Sequence, residues 1–164
     1  MALKILSADI TRLEVDAIVN AANTQLAAGG GVCGAIFRAA GYRELQAVCD
    51  KLAPIQTGEA VITPGFNLPA KFIIHTAGPI WHGGHSGEEN LLRNCYTNSL
   101  QLAAENNLSS VAFPLISSGI YGYPKFDALK VAVQAIKNFL KQKDLEVVLT
   151  VLDKSLLDSA AAFV

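Results

Sequence analysis

The sequence predicts a three-layer α/β domain in which a largely parallel sheet is flanked by helices. Two observations carry that expectation. Short apolar runs rich in Val, Ile and Phe alternate along the chain with longer segments whose apolar residues recur at helical spacing. The runs are also close to continuously apolar, as in Phe72-Ile73-Ile74 and Val147-Val148-Leu149, which suits strands covered on both faces.

The predicted strands are 3–7, 17–20, 59–63, 72–76, 111–115 and 147–152, each bounded by turn residues. A helix over 88–105 follows from Leu92, Cys95 or Tyr96, Ser99 and Leu102 or Ala103, with Ser86-x-x-Glu89 as a capping box at its start. A second helix over 125–141 follows from Phe126, Leu129, Val133, Ile136 and Leu140, with Lys130, Lys137 and Lys141 on the wet side. A shorter helical run covers 34–40. No internal repeat or linker interrupts the pattern, and right-handed crossovers are expected between parallel strands.

The chain has 164 residues, 51% of them hydrophobic and 16% charged, which suits one compact domain over 1–164 with little left for disordered tails. Its start at Met1 suits a free-standing protein, while its end at Val164, soon after the last predicted strand, leaves room for more chain. The formal charge of −1 lacks the basic footprint of a duplex nucleic-acid binder. Cys33, Cys49 and Cys95 are odd in number and widely spaced, so neither a disulfide framework nor a zinc site is expected, and a reducing cytoplasm is the expected setting. No segment has the length of a signal-peptide core or a membrane span.

In open α/β sheets ligands bind beyond the carboxyl ends of strands, which directs attention to three loops. Val19-Asn20-Ala21-Ala22-Asn23 ends a strand and leads through Gly29-Gly30-Gly31-Val32 into a helix start. Glycines let backbone approach a ligand, and helix-start amides suit an anion. The run does not lie in a tight turn directly after the strand, which sets aside a dinucleotide fingerprint, and the nucleotide P-loop pattern is absent. The second loop, Ile116-Ser117-Ser118-Gly119-Ile120-Tyr121-Gly122-Tyr123-Pro124, offers amides, two hydroxyls and a ring able to cover a sugar or base. Two such loops can clamp a diphosphate. The third, Asp9-Ile10-Thr11, reads by default as a local backbone cap, with a carboxylate able to accept from an exocyclic amine.

Taken together, Asp9-Ile10-Thr11, Asp16-Ala-Ile-Val-Asn20-Ala-Ala-Asn23, Gly29-Gly-Gly-Val-x-Gly-Ala-Ile36, Thr57-Gly-Glu-Ala60, Leu68 to Pro79 and Phe113 to Pro124 resemble a macrodomain over nearly the whole chain. The similarity is strongest to the group of ADP-ribosyl hydrolases and O-acetyl-ADP-ribose deacetylases. The resemblance implies a mixed, largely parallel central sheet and an ADP-ribose cleft. Asp9 would receive the adenine amine and Ile10 would line the base pocket. Asn20 and Asn23 would lie near the distal ribose, Asn23 as the direct contact. Gly30, Gly31 and Val32 would face Ser117, Ser118, Gly119, Ile120 and Tyr121 across the diphosphate, and Leu152-Asp153-Lys154 falls where the family often meets adenine.

The chain departs from the hydrolase pattern at Cys33 and Phe37, where that group carries Asp and His. Cys33 can be a small packing residue at a helix start, an indirect partner of the distal ribose, or a thiolate nucleophile for which no orienting base is legible. The expected activity is hydrolysis of mono-ADP-ribosyl linkages on proteins or of O-acetyl-ADP-ribose, with Asn23 and Cys33 as the catalytic candidates. A non-catalytic ADP-ribose reader and an ADP-ribose 1″-phosphate phosphatase are the alternatives. Neither cofactor nor metal is expected. The partners would be ADP-ribose, its derivatives and ADP-ribosylated proteins, with no duplex nucleic acid and no membrane. His82 and His85 read as exposed loop residues, His75 as a core imidazole and Trp81 as a cover over sheet or loop.

Overall fold

The protein is described by a computed structural model covering residues 2–163. Met1 and Val164, the ends of the span expected to form one domain, lie outside the described residues. Strands β1 (Ala2–Leu6), β6 (Glu146–Thr150), β5 (Ser110–Phe113), β2 (Ala17–Ala22), β4 (Phe72–Ala77) and β3 (Ala60–Pro64) form a 6-stranded sheet in that order. Every pairing is parallel except β3 with β4, so the mixed, largely parallel sheet is as expected.

Helices α1 (Gly31–Ala40) and α2 (Tyr42–Leu52) cover one face, and α3 (Glu88–Glu105), α4 (Lys125–Leu140) and α5 (Lys154–Ala160) cover the other. Period-2 alternation on β2 divides the core between them. Ala17 and Val19 join Tyr96, Phe113 and Leu129 on the α3–α4 side, whereas Ile18 and Ala22 join Ile36, Phe37 and Leu45 under α1 and α2.

Some local expectations need correction. Helix α1 starts at Gly31 rather than 34, because Gly30 in an extended conformation serves as its N-cap. No capping box starts α3: its N-cap is Gly87 in the left-handed region (φ 77). Glu88, not Glu89, takes the amide of Ser86, while Glu89 pairs with Arg93 at 2.9 Å. Phe126 does not join the core; it is exposed and meets Phe163. Two helices have no counterpart among the sequence expectations, α2 and α5.

All carboxyl ends of the parallel strands lie along one sheet edge. That edge carries the 7–9, 23–30, 78–87, 114–124 and 151–153 loops, and β2 and β5 are neighbours within it. No helix among the described residues is long and apolar enough to cross a membrane.

Candidate functional site

The loop after β2 is shaped from within by Asn23 and from outside by α2. The Asn23 side-chain oxygen accepts from the amides of Gln25 and Ala27, both at 3.1 Å, and its side-chain nitrogen donates to the Ala27 carbonyl at 2.9 Å. Gln46 clamps the same loop, donating to the Leu26 carbonyl (3.1 Å) and accepting from the Ala28 amide (3.0 Å). Past that clamp, side chains on Gly29, Gly30 and Gly31 would meet nothing within 4 Å, so this stretch borders open space. Gly30 gives α1 no side-chain cap, which leaves its first-turn amides for a ligand. Gly34 has the opposite duty, since a Cβ there would collide with the carbonyl of Gly29.

The facing loop after β5 is held from below by a buried phenol. Tyr96 of α3 accepts from the Ile116 amide at 3.0 Å and donates to the Pro114 carbonyl at 3.3 Å. Burial pushes this phenol well above its ordinary pKa, so it stays protonated and can make both bonds. Ser117 follows with φ 67, a strained value for a residue with a Cβ, and its hydroxyl is buried without a partner. A Cβ on Gly78 would strike that hydroxyl, so the loops that follow β4 and β5 touch here. Ser118 spends its hydroxyl on the Leu115 carbonyl at 2.8 Å. The Gly122 and Tyr123 amides close the turn onto Gly119 and Ser117. Gly119 borders open space, Ile120 is 94% exposed and Tyr121 is half-buried at the rim.

At the far end of the edge, Asp9 is the N-cap of a 3-10 turn at Ile10–Arg12. One of its oxygens accepts from the Thr11 amide (3.0 Å) and hydroxyl (2.7 Å). The other lies 3.6 Å from Arg12 and still has room to accept. The Thr11 bonds hold this carboxyl below its ordinary pKa, with Arg12 adding a smaller push in the same direction. Ile10 is buried beside it. Asp153 likewise caps α5, and Leu152 ahead of it is 77% exposed, an apolar side chain presented at the same edge.

Asn20 and Cys33 lie beneath the glycine loop. Asn20, 1% exposed, points its amide nitrogen at His75 Nδ1 (3.1 Å) and Cys33 Sγ (3.7 Å). The Cys33 thiol donates to the Ala27 carbonyl at 3.7 Å. His75, paired with Asn20 across β2 and β4, is the satisfied core imidazole expected from the sequence, with Thr63 Oγ1 3.0 Å from its Nε2. Burial lowers its pKa to about 4, so it is neutral at pH 7. Phe37 packs edge-on against this ring, with centroids 6.5 Å apart.

Beyond β4, Glu88 organises the 82–87 loop by accepting from the amides of His82, Gly84 and Ser86 at 2.7–3.0 Å. Burial alone would raise its pKa, but these amides, with its own, outweigh that and bring it down to about 2. His82 and His85 are exposed on that loop, as expected. A cavity of about 240 Å³ lies there, reached by Thr24, Ile80, Glu88 and Tyr121. No cluster of metal-ligating side chains occurs among the described residues.

Thus the sheet edge gathers Asn23, Gly30, Gly31 and Val32 with the 117–121 turn at adjacent strand ends, places Asp9 and Ile10 further along, and leaves Asn20 and Cys33 below. Sequence reasoning did not name Tyr96, Gln46 or Glu88 as residues that hold these loops. Tyr96 was legible only as a helix position, and Gln46 sits on the helix that was not foreseen.

Comparison with known proteins agrees with this architecture. The Macro domain family model matches residues 19–132. A macro domain-containing protein of Chlorobaculum tepidum is 57% identical over 135 residues, covering 82% of this chain and 78% of that protein. A Salmonella typhimurium protein named O-acetyl-ADP-ribose deacetylase is 51% identical over 141 residues, covering 84% and 79%. Among solved structures, a mutant of the Oceanobacillus iheyensis macrodomain with ADPR superposes with a TM-score of 0.92 at 42% identity, covering 98% of this chain and 90% of that one.

Proposed function

The chain belongs to the Macro domain family, and from that premise we propose that its sheet-edge cleft binds ADP-ribose and hydrolyses an ester or glycosidic linkage at the distal ribose. The observation that carries the reading is the pair of glycine-bearing loops on neighbouring strands β2 and β5, braced from behind by Gln46 and Tyr96. Such a pair offers backbone donors to a diphosphate without formal positive charge. Similarity to proteins named O-acetyl-ADP-ribose deacetylase supports the hydrolytic part.

In this reading the open oxygen of Asp9 accepts from the adenine amine and Ile10 lines the base. Gly30, Gly31 and Val32 hold one side of the diphosphate, and Ser117, Ser118, Gly119, Ile120 and Tyr121 hold the other. Asn23 keeps one amide proton beyond its loop bond and turns it toward the distal ribose or the attacking water. For an acetyl ester, water oxygen bonds to the carbonyl carbon and the ribose C–O acyl bond breaks. One water proton passes to the departing ribose oxygen and the other leaves the nascent acetic acid for solvent, so ADP-ribose, acetate and a proton are released. Loop amides stabilise the negative charge that develops, and enclosure by the loops orients the water.

One observation favours a reader instead. Asn23 spends most of its hydrogen-bonding capacity on its own loop, and Cys33 brings no carboxylate. The deciding experiment is calorimetry with ADP-ribose, followed by release assays on mono-ADP-ribosylated protein, O-acetyl-ADP-ribose and ADP-ribose 1″-phosphate with wild type, Asn23→Ala and Cys33→Ala. Binding with turnover that falls in Asn23→Ala supports the hydrolase. Binding without turnover makes the protein a reader, and release of phosphate from ADP-ribose 1″-phosphate alone makes it a phosphatase.

A further inference from the structure

A second cavity, of about 330 Å³, lies behind the 114–124 loop, between the start of α3, the side of α4 and the 81–84 turn. Its size falls near the lower end of small-ligand pockets, roughly 300–1,000 Å³. That is room for one side chain rather than a dinucleotide. Two of its walls are aromatic: Trp81 and Tyr123 meet with ring centroids 4.6 Å apart and planes tilted by 56°. The other walls include Glu89, Asp127 and Lys130.

The carboxylates differ. Glu89 is already paired with Arg93 at 2.9 Å, whereas Asp127 has no ion pair among the described residues. Tyr123 is 3% exposed as a residue and lines the cavity; its hydroxyl makes no hydrogen bond to another described residue and is not sealed from solvent, so it is open to accept from an occupant. Burial chiefly, then Glu89, Asp127 and Glu88, raise its pKa, and Arg93 offsets them in part.

Two tilted aromatic rings, a carboxylate without an ion pair and a hydroxyl free to accept are features that hold an organic cation. The rings attract it through their quadrupoles, Asp127 by charge, and the hydroxyl oxygen accepts an N–H. The geometry points to this cavity as a subsite for a lysine or arginine side chain of a partner polypeptide. The aliphatic stem lies against Trp81 and the charged head lies between Asp127 and the Tyr123 hydroxyl. Lys130 sits at the rim as a competing cation, so the site is tuned below its full strength. The Trp81 amide donates to the Tyr121 carbonyl at 2.9 Å, joining this subsite to the loop that borders the main cleft. The subsite itself needs no nucleotide, so it stands or falls separately from the ADP-ribose reading.

The chain has a single tryptophan, and it lines the cavity, so its fluorescence reports occupancy directly. The blocked residues N-acetyl-lysine methylamide and N-acetyl-arginine methylamide are titrated against the uncharged N-acetyl-norleucine methylamide. Amide resonances of Tyr123 and of residues 125–130 serve as a second readout, and thermal melting of each variant serves as a folding control. The expected result is saturable change with the cationic probes only. Asp127→Asn weakens it about tenfold, Tyr123→Phe weakens it less, and Lys130→Met tightens it. An equal response to norleucine, a response confined to divalent metal ions, or no saturable change in either readout overturns the inference.

Discussion

Replacing Tyr96 by Phe removes one oxygen and leaves a ring that still packs 5.1 Å from Phe113, so the change isolates the hydroxyl. That hydroxyl accepts from the Ile116 amide and donates to the Pro114 carbonyl, and both residues are buried. With no water able to take its place, a buried N–H is orphaned at a cost of about 1–3 kcal/mol. For a chain of this length each kcal/mol moves Tm by roughly 2–4 °C. The variant should therefore melt about 2–12 °C lower, with an unchanged urea m-value because the exposed surface is the same. ADP-ribose affinity should fall too, since Ser117 and the amides after it hang from this bond. Asp16→Asn is the control: it weakens a 2.7 Å bond from the Ser109 amide at the opposite edge of the sheet and should cost stability without touching affinity. A Tyr96→Phe protein that melts within a degree of wild type, or one that loses stability while binding ADP-ribose as before, would refute the account of how this loop is braced.

Gly30→Ala should leave Tm unchanged yet weaken ADP-ribose binding, because its backbone is extended and its side-chain direction is open space; calorimetry and melting separate the two effects. Gly34→Ala should instead lower stability by about 1–3 kcal/mol through the clash with the Gly29 carbonyl, checked by urea denaturation. Glu88 ionises near pH 2 in the fold, below its ordinary 4.5, so it stabilises above about pH 4.5 and loses that contribution as pH falls toward 2. Glu88→Gln should accordingly be less stable at neutral pH and show a flatter acid limb. His75, lowered from 6.5 to about 4, stabilises the fold above pH 6.5 and ceases to do so as pH falls through 4. NMR should find its ring neutral at pH 6, and a ring that titrates near 6.5 would contradict its burial.

The layers were legible because burial on both faces leaves a strong mark. Ile73-Ile74 and Val147-Val148-Leu149 have few other uses, and α3 and α4 each carry a broad apolar stripe. Helix α2 left a faint mark because it buries only Leu45 and Cys49, and because Gly41, with φ 114, both ends α1 and starts α2 without a loop between them. Helix α5 is 7 residues long and buries Leu156 and Ala160 alone. At the site the glycines were legible by composition, whereas their supports were not. Gln46, Tyr96 and Glu88 act through bonds to backbone atoms 18 to 20 residues away or on a preceding loop, and no spacing rule encodes such partners. Ser86 and Glu89 at capping-box spacing misled for a related reason: Glu88 found better donors in the loop amides, and Glu89 was free to pair with Arg93.

Cys33 and Phe37 change what kind of catalyst this cleft can be. Phe37 puts an apolar ring against His75, and Cys33 is tied between Asn20 and the Ala27 carbonyl, so the first turns of α1 send no carboxylate or imidazole toward the distal ribose. His75 lies in the core and is neutral across the neutral range, while His82 and His85 ride on the exposed loop beyond β4. What remains on the two glycine-bearing loops is Asn23 and backbone amides, none of which titrates, with the His82 imidazole bordering the neighbouring cavity. A hydrolase built this way accelerates by orienting water and stabilising charge, so its kcat/KM should lack the bell shape that a paired acid and base produce. The rate on O-acetyl-ADP-ribose, corrected for spontaneous hydrolysis, should be flat or rise steadily with hydroxide between about pH 6 and 8, and Cys33→Ala should keep that profile. An ionisation step that disappears in Cys33→Ala would refute this and make the thiolate the working nucleophile, and with it Asn20 and the Ala27 carbonyl the groups that position the sulfur.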